Sequence, residues 1–171
     1  STSIGEVSEF QVRNAFDDEA QFLIEHPNMI VVTSAGNDGK NEVNISSGLQ
    51  YYYASDGMTN TVSAVSTRLV GDSGQVFDDS PNGSYSNKCG VAKDFCIAAP
   101  GNAIVVPGRN NQYYSVSGTS FAAPNVAAGI ALIKARFIAA GNQQYSARDA
   151  LTRIFETADR SGAFADESIY G

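Results

Sequence analysis

The chain is poor in the residues that catalysts and metal sites draw on most. Among 171 residues there is one histidine, His26, two cysteines, Cys89 and Cys96, and no tryptophan. That leaves too few soft ligands for a structural zinc site. Basic residues are scarce as well, eleven against eighteen acidic for a net charge of −7, and they form no run. A surface that tracks phosphates is therefore not expected, nor is a nucleic-acid partner. Long apolar runs are missing too: the longest, Val126 to Ala140, is interrupted by Lys134 and Arg136. It falls short of the roughly twenty apolar residues that span a bilayer, so no membrane span is expected. The opening STSIGEVSEF has no basic start, apolar middle or small-residue cleavage site; export, if it occurs, would be directed by other sequence.

What is present suffices for one core, since 43% of the residues are hydrophobic and the length is that of one ordinary domain. No internal repeat, low-complexity tract or domain boundary interrupts it. Apolar residues at Phe16, Ala20, Leu23 and Ile24 predict a helix over Asn14 to Glu25, with Asn14 as N-cap and His26-Pro27 at its end. Met29 to Ala35 reads as a buried parallel strand that runs into Gly-Asn-Asp-Gly. Lys40 to Asn60 reads as loop around Tyr51-Tyr52-Tyr53. Thr61 to Ser66 reads as a strand, and Gly71 to Lys88 as a long turn-rich segment. Short strands are expected at Ile97 to Ala99, Ile104 to Val106 and Tyr113 to Val116, the last two joined by a hairpin turn. Val126 to Ile138 is apolar nearly all round and predicts a helix buried on every side. Ser146 to Ala158 is amphipathic behind a Ser146-x-x-Asp149 capping box. The order of elements is α/β.

Residues 117 to 124 read SGTSFAAP. Ser120 stands where a loop of small residues enters the apolar helix, so its N–H belongs to the unpaired first turn, where negative charge is favoured. A nucleophile there could have its developing oxyanion stabilised by its own N–H. Pro124 is compatible with a nearby helix start. The plain alternative is that Thr119 or Ser120 is only an N-cap. The Gly-x-Ser-x-Gly elbow is not met, because Ala122 occupies the last position. Asn37, at the end of the strand VVTSAGNDG, reads by itself as a turn residue rather than a functional one, because Asn-Asp-Gly is turn chemistry. Six residues separate the cysteines; a local disulfide and two free thiols are the two readings, the first preferred, and it implies an oxidising compartment.

SGTSFAAP resembles the serine motif of the subtilisin-like proteases, Gly-Thr-Ser-x-Ala-x-Pro, at Gly118, Thr119, Ser120, Ala122 and Pro124. VVTSAGNDG resembles the same family's strand ending in Ala-Gly-Asn-x-Gly. The resemblance implies a doubly wound, mostly parallel sheet with helices on both faces and with its N-terminal strands missing from this chain. It implies Ser120 as nucleophile, the Asn37 amide as second oxyanion donor, and Gly118 and Thr119 as substrate-binding residues. It also implies Ser3-Ile4-Gly5 as a strand pairing with substrate backbone and forming one wall of the specificity pocket, opposite Ser34, Ala35 and Gly36. Ala99-Pro100-Gly101 and the closing Tyr170-Gly171 resemble further family segments. SNKCGVAKDFCIAAPG is similar to a cysteine-containing segment of secreted bacterial subtilases of the autotransporter type, which implies a secreted or cell-surface location.

The family places an Asp and a His before the substrate strand, the His within His-Gly-Thr-x-Val-Ala-Gly, and no such motif is present. His26, in IEHPNM, reads as a helix-terminal residue. The expectation is therefore the Ser-bearing C-terminal part of a subtilase catalytic domain, residues 1–171. It would act on a polypeptide with an upstream half supplying Asp and His, and be inactive alone. A fragment, one chain of a nicked enzyme, or a non-catalytic binding or assembly module that keeps the fold would each account for it. Left alone, such a piece would expose a strand edge and one side of the apolar helix.

The remaining features read as bland. Asp78 to Gly83 has a calcium-loop alternation, but Cys89 stands where an EF-hand needs Glu, so a solvated loop is preferred. Structural calcium is common in the family, yet no residue is assigned to it, and no cofactor is. Gly36 to Lys40 lacks phosphate-loop spacing. Asn44-Ile-Ser46 and Asn82-Gly-Ser84 fit the glycosylation triplet, which is common by chance. The Tyr51 to Tyr53 run could border the cleft, but packing on its own domain or on a partner is preferred.

Overall fold

The computed structural model describes residues 2–70, 74–77, 85–161 and 164–171. Asp78 to Gly83 and the Asn82 triplet lie outside the described residues. The first helix, α1 (Glu9–Glu25), begins five residues before the expected start, and Asn14 is not its cap. Ser8 is: its Oγ accepts from the Gln11 N–H while its own N–H donates to the Gln11 side chain, a capping box. Strand β1 (Val31–Ser34) follows, then a short helix α2 (Leu49–Tyr53) within the segment read as loop. Strand β2 (Thr61–Val70) is longer than expected. It turns back into β3 (Gly74–Phe77), which occupies part of the segment read as turns. Then come β4 (Cys96–Pro100), the hairpin β5 (Ile104–Pro107) and β6 (Tyr113–Val116), α3 (Thr119–Ala139), α4 (Ala147–Thr157) and a terminal turn of helix, α5 (Glu167–Tyr170).

β2 is the centre of the sheet. It pairs in parallel with β1 on one side and with β4 on the other, and antiparallel with β3 beyond the end of β1. Its side chains at 62, 64 and 65 divide between the two faces. Val62 and Ala64, with Ile97 and Ala99 of β4, face a core completed by Ala122, Val126 and Ile130 of α3 and Ala150 and Leu151 of α4. Val65 and Cys96 face the opposite core, built with Val12, Ala20 and Leu23 of α1 and Leu49, Tyr52 and Tyr53 of α2. Period-two alternation with apolar residues on both faces calls for helices on both faces, and these are present. The expected doubly wound α/β arrangement is the one observed. Full burial of a Val, Leu or Ile side chain stabilises by about 1.5–3 kcal/mol, so each face is a real core.

Two expectations fail at the edges of this arrangement. β1 is half-buried throughout, because among the described residues it pairs only with β2. α3 is not buried on every side: Thr119, Ala122, Val126 and Ile130 are buried, whereas Leu132 is 70% exposed. It also starts seven residues earlier than the apolar run, which makes it 21 residues long. By length and composition alone it could cross a membrane, with 17% of the most apolar window buried. Its length therefore does not exclude a span, contrary to expectation. α3 is read as a core helix because it packs across β1, β2 and β4 and against α4.

Cys89 and Cys96 are joined in a disulfide and both are fully buried. His26 is the C-cap of α1, its Nδ1 2.7 Å from the Phe22 carbonyl and its ring stacked on Phe22. α4 is capped as expected, Ser146 Oγ accepting from the Asp149 N–H.

Candidate active site

The site lies at the carboxyl end of β1, where an open parallel sheet presents its loops. The chain leaves β1 through Ala35 and Gly36, both buried, and brings Asn37 to the surface. From the other side, β6 leads through Ser117 and Gly118 into α3. Gly118 is held from behind: its N–H donates to the Gly101 carbonyl at 2.9 Å. The Ala99-Pro100-Gly101 corner is packed tightly enough that a Cβ on Gly101 would come within 2.8 Å of the Gly118 carbonyl.

The N-cap of α3 is Gly118, which has no side chain to cap with. Asn37 supplies the missing acceptor from across the site. Its Oδ1 accepts from the Thr119 N–H and from the Thr119 Oγ, both at 2.9 Å, while Thr119 Oγ accepts from the Gly36 N–H at 3.3 Å. A backbone N–H can only donate, so the Asn37 atom facing it is the oxygen. The Nδ2 amide is left as the donor end, near Gly118, and makes no hydrogen bond among the described residues. Ser120, exposed, is the second residue of α3, and its N–H belongs to the first-turn amides that have no intrahelical acceptor. Neither Thr119 nor Ser120 is the N-cap, so the plain reading of the serine does not hold. Pro124 is the sixth helical residue, deeper than expected. Its missing N–H leaves the Ser120 carbonyl without the usual helical donor.

The two expected pocket walls are stitched together by a third segment. Asn44 N–H donates to the Ala35 carbonyl at 2.8 Å, and Val43 to Ile45 run antiparallel to the chain start, with Ile4 N–H to Val43 O and Ile45 N–H to Thr2 O at 3.1 Å. Gly36 has to be glycine: its φ is +115°, and a Cβ would sit 2.5 Å from the side-chain nitrogens of Asn44 and Asn87. Ser34 is half-buried, and its carbonyl accepts from Ser47 Oγ.

Ser3-Ile4-Gly5 is not a strand. Ser3 is buried and makes a single bridge to Asn44, after which the chain turns, Glu6 N–H donating to the Ser3 carbonyl at 3.1 Å. The Glu6 carboxylate accepts from the Ser3 N–H at 2.7 Å and pairs with Lys40 Nζ at 2.8 Å, across from the opposite wall. The Lys40 hydrogen bond, then that of Ser3, holds the Glu6 carboxyl below its ordinary range. Backbone groups that would pair with an extended partner are satisfied locally instead. Gly5 is exposed, and its N–H donates to Tyr52 OH at 3.3 Å beside an open hollow of about 550 Å³ that Gly5, Val7, Tyr51 and Tyr52 help to line. Of the tyrosine run, Tyr53 and Tyr52 pack in the core of their own domain, while Tyr51 is half exposed.

Among the described residues no three His, Cys, Asp or Glu side chains converge on a point that could hold a metal. The residue that sequence reading missed is Asn87, fully buried and wrapped around the Asn37 loop. It lies in SNKCGVAKDFCIAAPG, a segment read for its cysteines, and nothing local in that stretch marks the burial of its amide behind the Asn37 loop.

The subtilase family model (peptidase S8) matches residues 1–171, and the chain belongs to that family. Among curated proteins it is 29% identical over 160 residues to the serotype-specific antigen 1 of Mannheimia haemolytica, covering 90% of this chain and 16% of that protein. It is 28% identical over 158 residues to the autotransporter lipoprotein NalP of Neisseria meningitidis serogroup B, covering 88% and 14%. The fold is that of the prenylagaramide maturation protease PagA, at TM-score 0.66 and 20% identity over 90% of this chain and 50% of that one. It is also that of a chain of the subtilase cytotoxin SubAB assembly, at TM-score 0.69 and 14% identity over 99% and 52%. The chain therefore spans about half the length of these solved structures and about one sixth of the curated relatives.

Proposed function

We propose that this chain is the Ser-bearing part of the catalytic domain of a serine endopeptidase, with Ser120 as nucleophile. The observation that carries the reading is the Asn37–Thr119 pair: one hydrogen-bonded corner brings the side-chain donor of Asn37 to the start of the helix on which Ser120 stands. Ser120 Oγ attacks the carbonyl carbon of a peptide bond and gives its proton to a histidine supplied by the other part of the domain. The carbonyl oxygen becomes an oxyanion, accepted by the Ser120 N–H and Asn37 Nδ2. Collapse of this intermediate breaks the C–N bond, the amine leaves with the proton, and water then hydrolyses the acyl-enzyme. Both donors are fixed before the reaction begins, which is where electrostatic catalysis gains most.

In this reading the Asp and His of the triad lie on an upstream half that covers β1 and the outer side of α3. The chain alone is inactive, because an unactivated serine hydroxyl is a weak nucleophile at neutral pH. Ser3, Gly5, Ser34, Ala35 and Gly36 line the substrate cleft, and the Ser3–Glu6 turn opens to receive an extended polypeptide. The disulfide, together with relatives named as an autotransporter lipoprotein and a serotype antigen, supports a secreted or cell-surface bacterial location. The test is turnover of an unfolded polypeptide by the whole protein, with mass spectrometry of the trapped acyl-enzyme. The acyl group is expected on Ser120, and Ser120→Ala is expected to abolish both signals. Undiminished turnover by that variant would exclude Ser120 as nucleophile and leave the non-catalytic module as the better account.

A further inference from the structure

Asn87 lies outside the serine and Asn37 motifs, in the segment read for its cysteines, yet it touches the Asn37 loop on both sides. It is fully buried. Its backbone N–H donates to the Gly36 carbonyl at 2.9 Å. Its Oδ1 accepts from the N–H groups of Asp38 at 3.1 Å and Lys40 at 3.0 Å. Its Nδ2 donates to the Ala35 carbonyl at 3.2 Å and to Asn44 Oδ1 at 3.1 Å. Two backbone N–H groups fix which end of the amide is oxygen, and all four hydrogen-bonding positions of the side chain are filled. The residues held are 35, 36, 38 and 40. Asn37 itself is skipped, so it projects from a loop clamped before and after it.

The neighbours of Asn87 continue the clamp. Gly39 N–H donates to the Tyr85 carbonyl and Lys88 N–H to the Lys40 carbonyl, both at 2.9 Å. Without such ties, a Gly-Asn-Asp-Gly loop at a strand end has many turn conformations open to it. A donor has to meet an oxyanion within a few tenths of an ångström, and a misplacement of about 1 Å can cost on the order of a hundredfold in rate.

We infer that Asn87 is a positioning residue for the reaction: it acts through the Asn37 loop to hold Asn37 Nδ2 where the oxyanion forms. This rests on the protease reading. The test is a double-mutant cycle in the whole protein, measuring kcat and KM on a peptide amide for Asn87→Leu, Asn37→Ala and the pair. Asn87→Leu keeps the bulk and removes all four hydrogen bonds. It is expected to lower kcat about ten- to a hundredfold with KM within about threefold, since a donor misplaced but still present should lose less than one removed outright. In the Asn37→Ala background the same change should lower kcat by less than about twofold, because its target is already gone.

Asn87→Asp keeps both acceptors for Asp38 and Lys40 but turns a carboxylate oxygen, in place of the donor, toward the Ala35 carbonyl and Asn44 Oδ1, so it is expected to lose rate as Asn87→Leu does. If Asn87→Leu does not fold, Asn87→Ser, which leaves room for water, carries the same cycle. A full multiplicative loss in the Asn37→Ala background would mean that Asn87 supports the fold generally, and would overturn the inference, as would an unchanged kcat. A folded whole protein with no Ser120-dependent turnover would defeat the protease reading instead. The clamp is then judged by amide exchange in Asn87→Ser: faster exchange at Asp38 and Lys40 with β2 unchanged supports it, and equal exchange throughout overturns it.

Discussion

The two ends of α3 differ in a way that separates what this chain holds by itself from what it leaves open. At the N-terminal end, Thr119 is fully buried and bonded twice to Asn37, and Gly118 is bonded to Gly101. Further along, the helix is as apolar, yet Leu132 is 70% exposed and Ala127, Ala128 and Ala131 are exposed beside it. Polar lacing within the chain completes the first region. Nothing within the described residues covers the second. The Asn37–Thr119 corner is thus held together within the chain, whereas the outer helix face and the half-buried β1 are left open among the described residues.

Breaking the self-contained end should have the largest effect. Asn37→Leu in the whole protein is expected to lower kcat about 10²–10³-fold with little change in KM, because one donor of a preorganised pair is lost. Steady-state kinetics on a peptide amide check this; a loss confined to KM would move Asn37 from the reacting oxygen to the binding surface. The unfinished end is tested by Leu132→Asp. If this face is covered in the whole protein, a buried unpaired carboxylate should destabilise it by about 3–5 kcal/mol, while the isolated chain shifts by less than about 0.5 kcal/mol. Denaturant midpoints of both forms decide, and equal shifts would show that the face stays in water.

How far sequence led along this same helix is instructive. Three strands of the sheet were legible because β-branched and small apolar residues recur at Met29 to Ala35, Thr61 to Ser66 and Ile97 to Ala99, whereas β3 falls in the segment read as turns. The serine and Asn37 were legible from two motifs. The start of α3 was not, because Thr119 to Pro124 is small and loop-like in composition. Its helix is begun by a cap from Asn37, 82 residues away in sequence. α1 was placed late because Ser8 and Gln11 form their capping box ahead of the apolar periodicity. The Ser3–Glu6 turn was invisible as well, since it depends on a carboxylate that also reaches Lys40. Long-range polar pairs of this kind leave no local pattern to read.

Smaller effects sharpen the same contrast away from the site. Ser146→Ala removes the cap that starts α4, the helix packed against α3, and should cost about 1 kcal/mol, read as a lower midpoint in urea with unchanged slope. The Glu6–Lys40 pair should contribute least, both side chains being partly exposed. Its sign is nonetheless fixed. The Glu6 carboxyl is held below its ordinary value of 4.5, so its contribution is present above that pH and fades as pH falls through and below it. Glu6→Gln should therefore lower the midpoint slightly at neutral pH and not at all in acid. A deficit that persists in acid would assign the effect to packing.

The most direct measurement is labelling by a fluorophosphonate, which reports an activated serine without any assumption about substrate, followed by peptide mass spectrometry on the whole protein and on this chain alone. The account expects label on Ser120 in the whole protein, none in Ser120→Ala and none in the isolated chain, whose folding is verified by circular dichroism. A folded whole protein that leaves Ser120 unlabelled would contradict it.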